Sequence, residues 1–210
     1  MDKAHQAPGT LIIACGALAH EIAALRRASG WTALAVCCLP PELHNRPERI
    51  APAVQAKIRE HRGEYRSIFV AYGDCGTGGK LDVVLQQEGV ERLPGAHCYE
   101  FFAGARVFAE LAEAEPGTFY LTDFLTRHFE RLVVQGLGID RHPELAQEYF
   151  RNYRKVVYLA QIRSAPLLES ARRIAADLGL AFEHRPTGFG ELGAHLARVV
   201  AADAAPSWQT

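Results

Sequence analysis

The chain lacks a long apolar run. Its apolar stretches reach about ten residues, short of the ~20 that a membrane-spanning helix needs. It lacks an excess of either charge: 23 lysines and arginines face 24 aspartates and glutamates, for a net charge of −1. That balance excludes an extended polyanion-binding surface, so no nucleic-acid partner is expected. Its five cysteines form no C-x-x-C pair and no zinc ribbon, and their odd number argues against a disulfide framework. Neither G-x-G-x-x-G nor a complete P-loop occurs, although Gly78-Gly79-Lys80 superficially approaches one. The first six residues have no apolar core, and Leu11-Ile12-Ile13-Ala14 is too short for a signal peptide's apolar segment. The expectation is a soluble cytoplasmic protein with no membrane partner.

What is present is alternation. Short apolar segments at Thr10–Gly16, Trp31–Leu39, Ser67–Tyr72 and Val90–Leu93 are separated by stretches of helical spacing, and the same rhythm continues at Thr118–Thr122, Lys155–Gln161 and Ala181–His184. Helices are expected over Tyr99–Ala114, Asp123–Gln135, His142–Tyr153, Pro166–Leu178 and Phe189–Ala202. Such a sequence predicts an α/β fold: a mostly parallel, doubly wound, Rossmann-like sheet with helices on both faces. The 210 residues fit a single α/β domain, or two packed halves of about 1–115 and 116–210.

In parallel sheets, ligands bind beyond the carboxyl ends of the strands. Four such ends carry unusual residues: Cys15-Gly16, then His44, then Gly73-Asp74-Cys75-Gly76, then His97-Cys98. Thiolate and imidazole suit zinc or iron. Cys15, His44, Cys75 and Cys98 are the expected metal ligands, with His97 as a substitute or supporting group. Tyr72, Asp74, His97, Glu100 and Tyr120 are the candidates for proton transfer or substrate orientation. Gly73, Gly76 and Gly78 belong to a strand-to-helix loop whose N–H groups could cradle a bound group. Cysteine is among the most buried residue types, so Cys37 and Cys38, inside an apolar strand, are expected to be core packing.

The motifs Ala14-Cys15-Gly16, Leu43-His44-Asn45-Arg46-Pro47-Glu48, Tyr72-Gly73-Asp74-Cys75-Gly76, Ala96-His97-Cys98 and Pro116-Gly117-Thr118-Phe119-Tyr120 occur in this order. Together they resemble a bacterial and archaeal family of unknown function, often encoded beside corrinoid-dependent methyltransferases. Where many members read A-H-D-C, this chain has Ala96-His97-Cys98-Tyr99. The resemblance implies a small-molecule substrate or a corrinoid methyltransferase system as partner. The expected function is a metal-binding Cys/His protein serving corrinoid-linked methyl transfer or other one-carbon metabolism. Two alternatives stay open: a metal-free enzyme with Cys75 as nucleophile and His97 or His44 as base, and a non-catalytic redox-sensing accessory protein.

Overall fold

A computed structural model describes residues 9–204; the tail from Ala204 to Thr210, expected from its sequence to fray or to lie on a neighbouring surface, falls outside them after its first residue. Internal contacts divide the chain into two compact units. The described residues up to His97, together with those from Leu192 onward, form the first; Cys98–Glu191 form the second. The boundary between the two units falls between His97 and Cys98.

The first unit holds strands β1 (Thr10–Cys15), β2 (Leu34–Leu39), β3 (Ser67–Ala71) and β4 (Glu91–Arg92), and helices α1 (Ala19–Ala28), α2 (Ile50–Glu60) and α3 (Lys80–Glu88). The strands pair only in parallel, in the order β2-β1-β3-β4. β1 is buried along its whole length, which is what a central strand of a helix-covered sheet requires. β2 is an edge strand, and its cysteines depart from the expected core role: Cys37 is half-buried and Cys38 exposed. An edge strand is covered on fewer sides than the apolar run Leu34-Ala35-Val36-Cys37-Cys38-Leu39 implies.

The second unit runs α4 (Cys98–Ala103), α5 (Ala105–Ala114), β5 (Thr118–Thr122), α6 (Asp123–Arg127), α7 (Glu144–Phe150), β6 (Lys155–Ala160), α8 (Ala165–Asp177) and β7 (Ala181–Pro186). Its three strands are again parallel, in the order β5-β6-β7. The central strand β6 is buried from Val156 to Ala160. On one face Leu121, Val156 and Tyr158 pack against Leu167, Ala171 and Ala175 of α8. On the other, Val157 and Leu159 pack against Leu111 of α5. The helix expected over Tyr99–Ala114 is broken by Gly104, whose φ of +80° no helix accommodates. The one expected over Asp123–Gln135 stops at Arg127 and resumes as a π-helical turn over Glu130–Gln135.

The last helix, α9 (Leu192–Ala204), returns to the first unit and packs on β1. Asp203 binds Arg66 at 2.8 Å and accepts from the Ser67 hydroxyl, while Leu192 and Leu196 are fully buried. The α/β class, with parallel sheets flanked by helices, is thus present, as two sheets of four and three strands.

Candidate functional site

The strand order of the first sheet reverses at β1: β2 lies on one side of it and β3 on the other. Crevices at such reversals, beyond the carboxyl ends, are where open α/β sheets place ligands. Cys15 closes β1 there and is 1% exposed. Its sulfur accepts the Ala17 N–H at 3.3 Å, capping a short 3-10 turn over Gly16–Leu18. A Cβ on Gly16 would sit 3.0 Å from the Leu39 carbonyl and 3.1 Å from Pro41 Cδ. Only glycine lets the end of β2 and the prolines after it come this close.

That approach delivers His44, on the 3-10 turn Pro41–Asn45, to Cys15. His44 Nδ1 lies 3.1 Å from the Pro41 carbonyl and 3.9 Å from Cys15 Sγ. A carbonyl only accepts, so Nδ1 carries the proton and Nε2 keeps its lone pair. Nε2 is buried and has no hydrogen-bond partner among the described residues.

Tyr72 follows β3, is 1% exposed, and places its ring 6.1 Å from that of His44, within 10° of parallel. Its hydroxyl is directed at the Cys15 thiol without closing a well-formed hydrogen bond. Next comes Gly73, where a Cβ would meet the backbone of His97 at 3.0 Å. Two backbone bonds then join the loops, Asp74 N–H to Gly95 O at 3.1 Å and Cys75 N–H to Ala96 O at 2.9 Å. Arg92 tightens the same loop by donating to Leu93 O and Gly95 O. These contacts hold the His97 ring 6.2 Å from that of His44. Cys75 is buried and has φ of +51°, the only described non-glycine residue in the left-handed region. Backbone held in that region costs of order 1 kcal/mol and collects at functional sites.

The electrostatics follow from burial. Desolvation raises the Cys15 pKa to about 12, more than the Ala17 N–H offsets, and the Cys75 thiol raises it further. Burial lowers His97 to about 4, with His44 adding to the effect. His44 is lowered by burial as well, partly opposed by its bond to Pro41. Burial likewise pushes Tyr72 far upward, followed by the Cys15 charge. Near neutrality Cys15 is a thiol, Tyr72 a phenol, and both imidazoles are uncharged.

The remaining expected residues stand differently. Asp74 closes its own loop, accepting from the Thr77 hydroxyl at 2.6 Å, Gly79 N–H at 2.8 Å and Gly78 N–H at 3.1 Å. These bonds, Thr77 first, hold its carboxyl below the usual range. The carboxylate thus engages N–H groups that a phosphate would otherwise use. Gly76 and Gly78 take φ of +82° and +63° in the turn. Cys98, buried, and Glu100 lie in α4 of the second unit. Tyr120, on β5, packs against Tyr99 and Phe108, its hydroxyl buried with no formed hydrogen bond. Among the described residues, no three His, Cys, Asp or Glu side chains are arranged to hold a metal ion. The expected ligands therefore do not stand as a formed tetrad.

Sequence reasoning passed over Asp123, Tyr158, Gln161 and His184, which meet at the carboxyl edge of the second sheet. The available signal was position: Asp123 directly follows β5, and Gln161 directly follows β6.

Residues 38–196 match a family described as "Protein of unknown function (DUF1638)". The chain belongs to this family. The DUF1638 match takes in His44, Tyr72, Cys75, His97 and Cys98 and begins after Cys15. No curated protein and no solved structure gives a match.

Proposed function

We propose that the first unit of this DUF1638 protein binds a soft divalent cation, zinc or iron, on Cys15, His44 and Cys75, with His97 beside them. The observation that carries the reading is His44. Metal-binding histidines donate their second ring N–H to a carbonyl or carboxylate, which fixes the tautomer and aims the other nitrogen. His44 is held in that way by Pro41, its bare Nε2 is buried, and the Cys15 sulfur lies beside the same ring, 3.9 Å from Nδ1. A bare buried acceptor costs about 1–3 kcal/mol unless something occupies it.

The crevice is built to be neutral before loading. Loading would release thiol protons, because the thiolate is the ligand. Tyr72 keeps its proton and donates toward the Cys15 sulfur, which helps that sulfur carry charge. Three protein ligands leave a position open for substrate. The bound ion would supply Lewis acidity, holding an incoming thiol as thiolate near neutral pH. A methyl-accepting thiol in one-carbon or corrinoid-linked metabolism is the substrate class this suits. The thiol's proton would leave to solvent, since His97, with a pKa of about 4, holds a proton only in acid. Cys98 is not needed by this reading.

Cys15 is no ready nucleophile, because a thiol with a pKa near 12 is almost wholly protonated at neutral pH; the metal-free alternative rests on Cys75. The test is titration of untagged, metal-stripped protein with cobalt(II) and zinc. Stoichiometric binding with proton release and a thiolate-to-cobalt charge-transfer band is expected. Cys15→Ser, His44→Ala and Cys75→Ser should each weaken binding about tenfold or more. Absence of stoichiometric binding, or affinity unchanged in all three variants, overturns the reading.

A further inference from the structure

The carboxyl edge of the second sheet carries different chemistry, independent of the proposed metal site. Asp123 is 1% exposed yet fully engaged. Its carboxylate accepts from the Tyr158 hydroxyl at 2.6 Å, from Gln161 N–H at 3.2 Å and from Ile162 N–H at 3.0 Å. Its own N–H donates to Gln161 Oε1 at 2.7 Å, and Gln161 Nε2 donates to Leu159 O at 2.6 Å. Every bond in this set is internal, so the carboxylate is satisfied within the protein and the turn after β6 is fixed by it.

Above this staple opens a cleft of about 530 Å³, lined by Tyr158, Ile162, Arg163, Leu168 and His184 among others. Clefts of this size hold small organic ligands. Its floor is a stacked pair, Tyr158 and His184, with ring centroids 5.6 Å apart and planes within 23°. Tyr158 is buried and hydrogen-bonded to Asp123, so the pair is anchored from below; His184 is exposed above it. Ile162 stands at the cleft 41% exposed, an unusual position for a large apolar side chain. Arg163 is exposed and makes no ion pair, and it is the sole lining side chain with a fixed charge, among the described residues. The cleft therefore offers an aromatic surface, aliphatic walls and one unpaired guanidinium.

We propose that this cleft binds a planar aromatic anion of nucleoside-monophosphate size. The ring stacks on His184 against Ile162 and Leu168, and the phosphate pairs with Arg163. Asp123 and Gln161 act as positioning residues, holding Tyr158 and the 161–163 turn in place without touching the ligand.

The test is a nuclear magnetic resonance titration of the full chain with adenosine 5′-monophosphate, with adenosine alone and inorganic phosphate alone as separate arms. Saturable shifts are expected at residues 158–165 and 184–188. Each fragment alone should bind about tenfold or more weakly than the monophosphate. Arg163→Gln should weaken the monophosphate about tenfold and leave adenosine unaffected, whereas His184→Ala should weaken both. Both positions are exposed, so unchanged melting temperatures will show that the variants fold. The proposal is overturned by no saturable shift up to about 10 mM ligand, by shifts confined to other residues, or by equal affinity in wild type and both variants. Adenosine binding as tightly as the monophosphate overturns it too, as does phosphate doing so.

Discussion

The two units solve one architectural problem with opposite chemistries. Each has a parallel sheet whose strands point their carboxyl ends at a polar rim. In the first, the rim holds two buried thiols, two uncharged imidazoles and a phenol, with Nε2 of His44 and the Tyr72 hydroxyl left without formed hydrogen bonds. In the second, a buried carboxylate has three donors aimed at it: one hydroxyl and two N–H groups. Burial acts on both, but only the Asp123 network is self-satisfied. A satisfied network stabilises and fixes a turn; bare acceptors in a neutral crevice fit a partner that comes from outside. Where polar groups are left bare is therefore a better guide to chemistry than where they are merely buried.

The contrast puts the largest loss of stability in the second rim. Asp123→Ala strands three donors and should cost about 3–5 kcal/mol in denaturant unfolding. A loss below about 1 kcal/mol would mean that the network is not as closed as its distances indicate. In the metal-free first rim, stability should depend on acid. His97 has a folded pKa of about 4 against 6.5 when unfolded, so the unfolded chain binds more protons between those values. The stabilisation is fully present above pH 6.5 and is lost as pH falls toward 4, by about 3 kcal/mol at most. His97→Gln should flatten that slope; an unchanged slope would assign it to other groups.

Tyr158→Phe removes one hydrogen bond to a charged group and should cost about 1.5–3 kcal/mol in thermal melts, while leaving cobalt binding in the first unit unchanged. Cys75→Ser puts a hydroxyl at a buried position and should cost about 1–3 kcal/mol, and metal retention should fall as well. The smallest effect belongs to Cys38→Ser on the exposed edge strand. It should stay within about 0.5 kcal/mol and leave metal content intact, and a larger shift would show that Cys38 takes part in the site.

Much of the fold was legible because strand and helix periods alternate so regularly, and the four strands ending near Cys15, His44, Cys75 and His97 do share one sheet. The place of the first rim followed from that. Edge and centre could not be separated, since the apolar run containing Cys37 and Cys38 reads alike in either position. Nor could the sequence reveal that Asp74 would spend its carboxylate on its own loop. Asp123 escaped notice for a related reason: beside Thr122, an N-cap that accepts from Leu125 N–H, it reads as an ordinary first-turn acid. Its real partners lie 35 to 39 residues further on.

The return of α9 to β1 gives the protein an order of birth. The second unit is one continuous stretch, Cys98–Glu191, while the first is built from both sides of it. On a ribosome adding about 5–20 residues per second, the first unit waits on the order of 5–20 s between release of His97 and arrival of Leu192. Throughout that interval β1 has no α9 to cover it, and Arg66 and Ser67 have no Asp203. The part of the chain made first is thus completed last, and the thiol-bearing rim matures only after the second unit can already have folded.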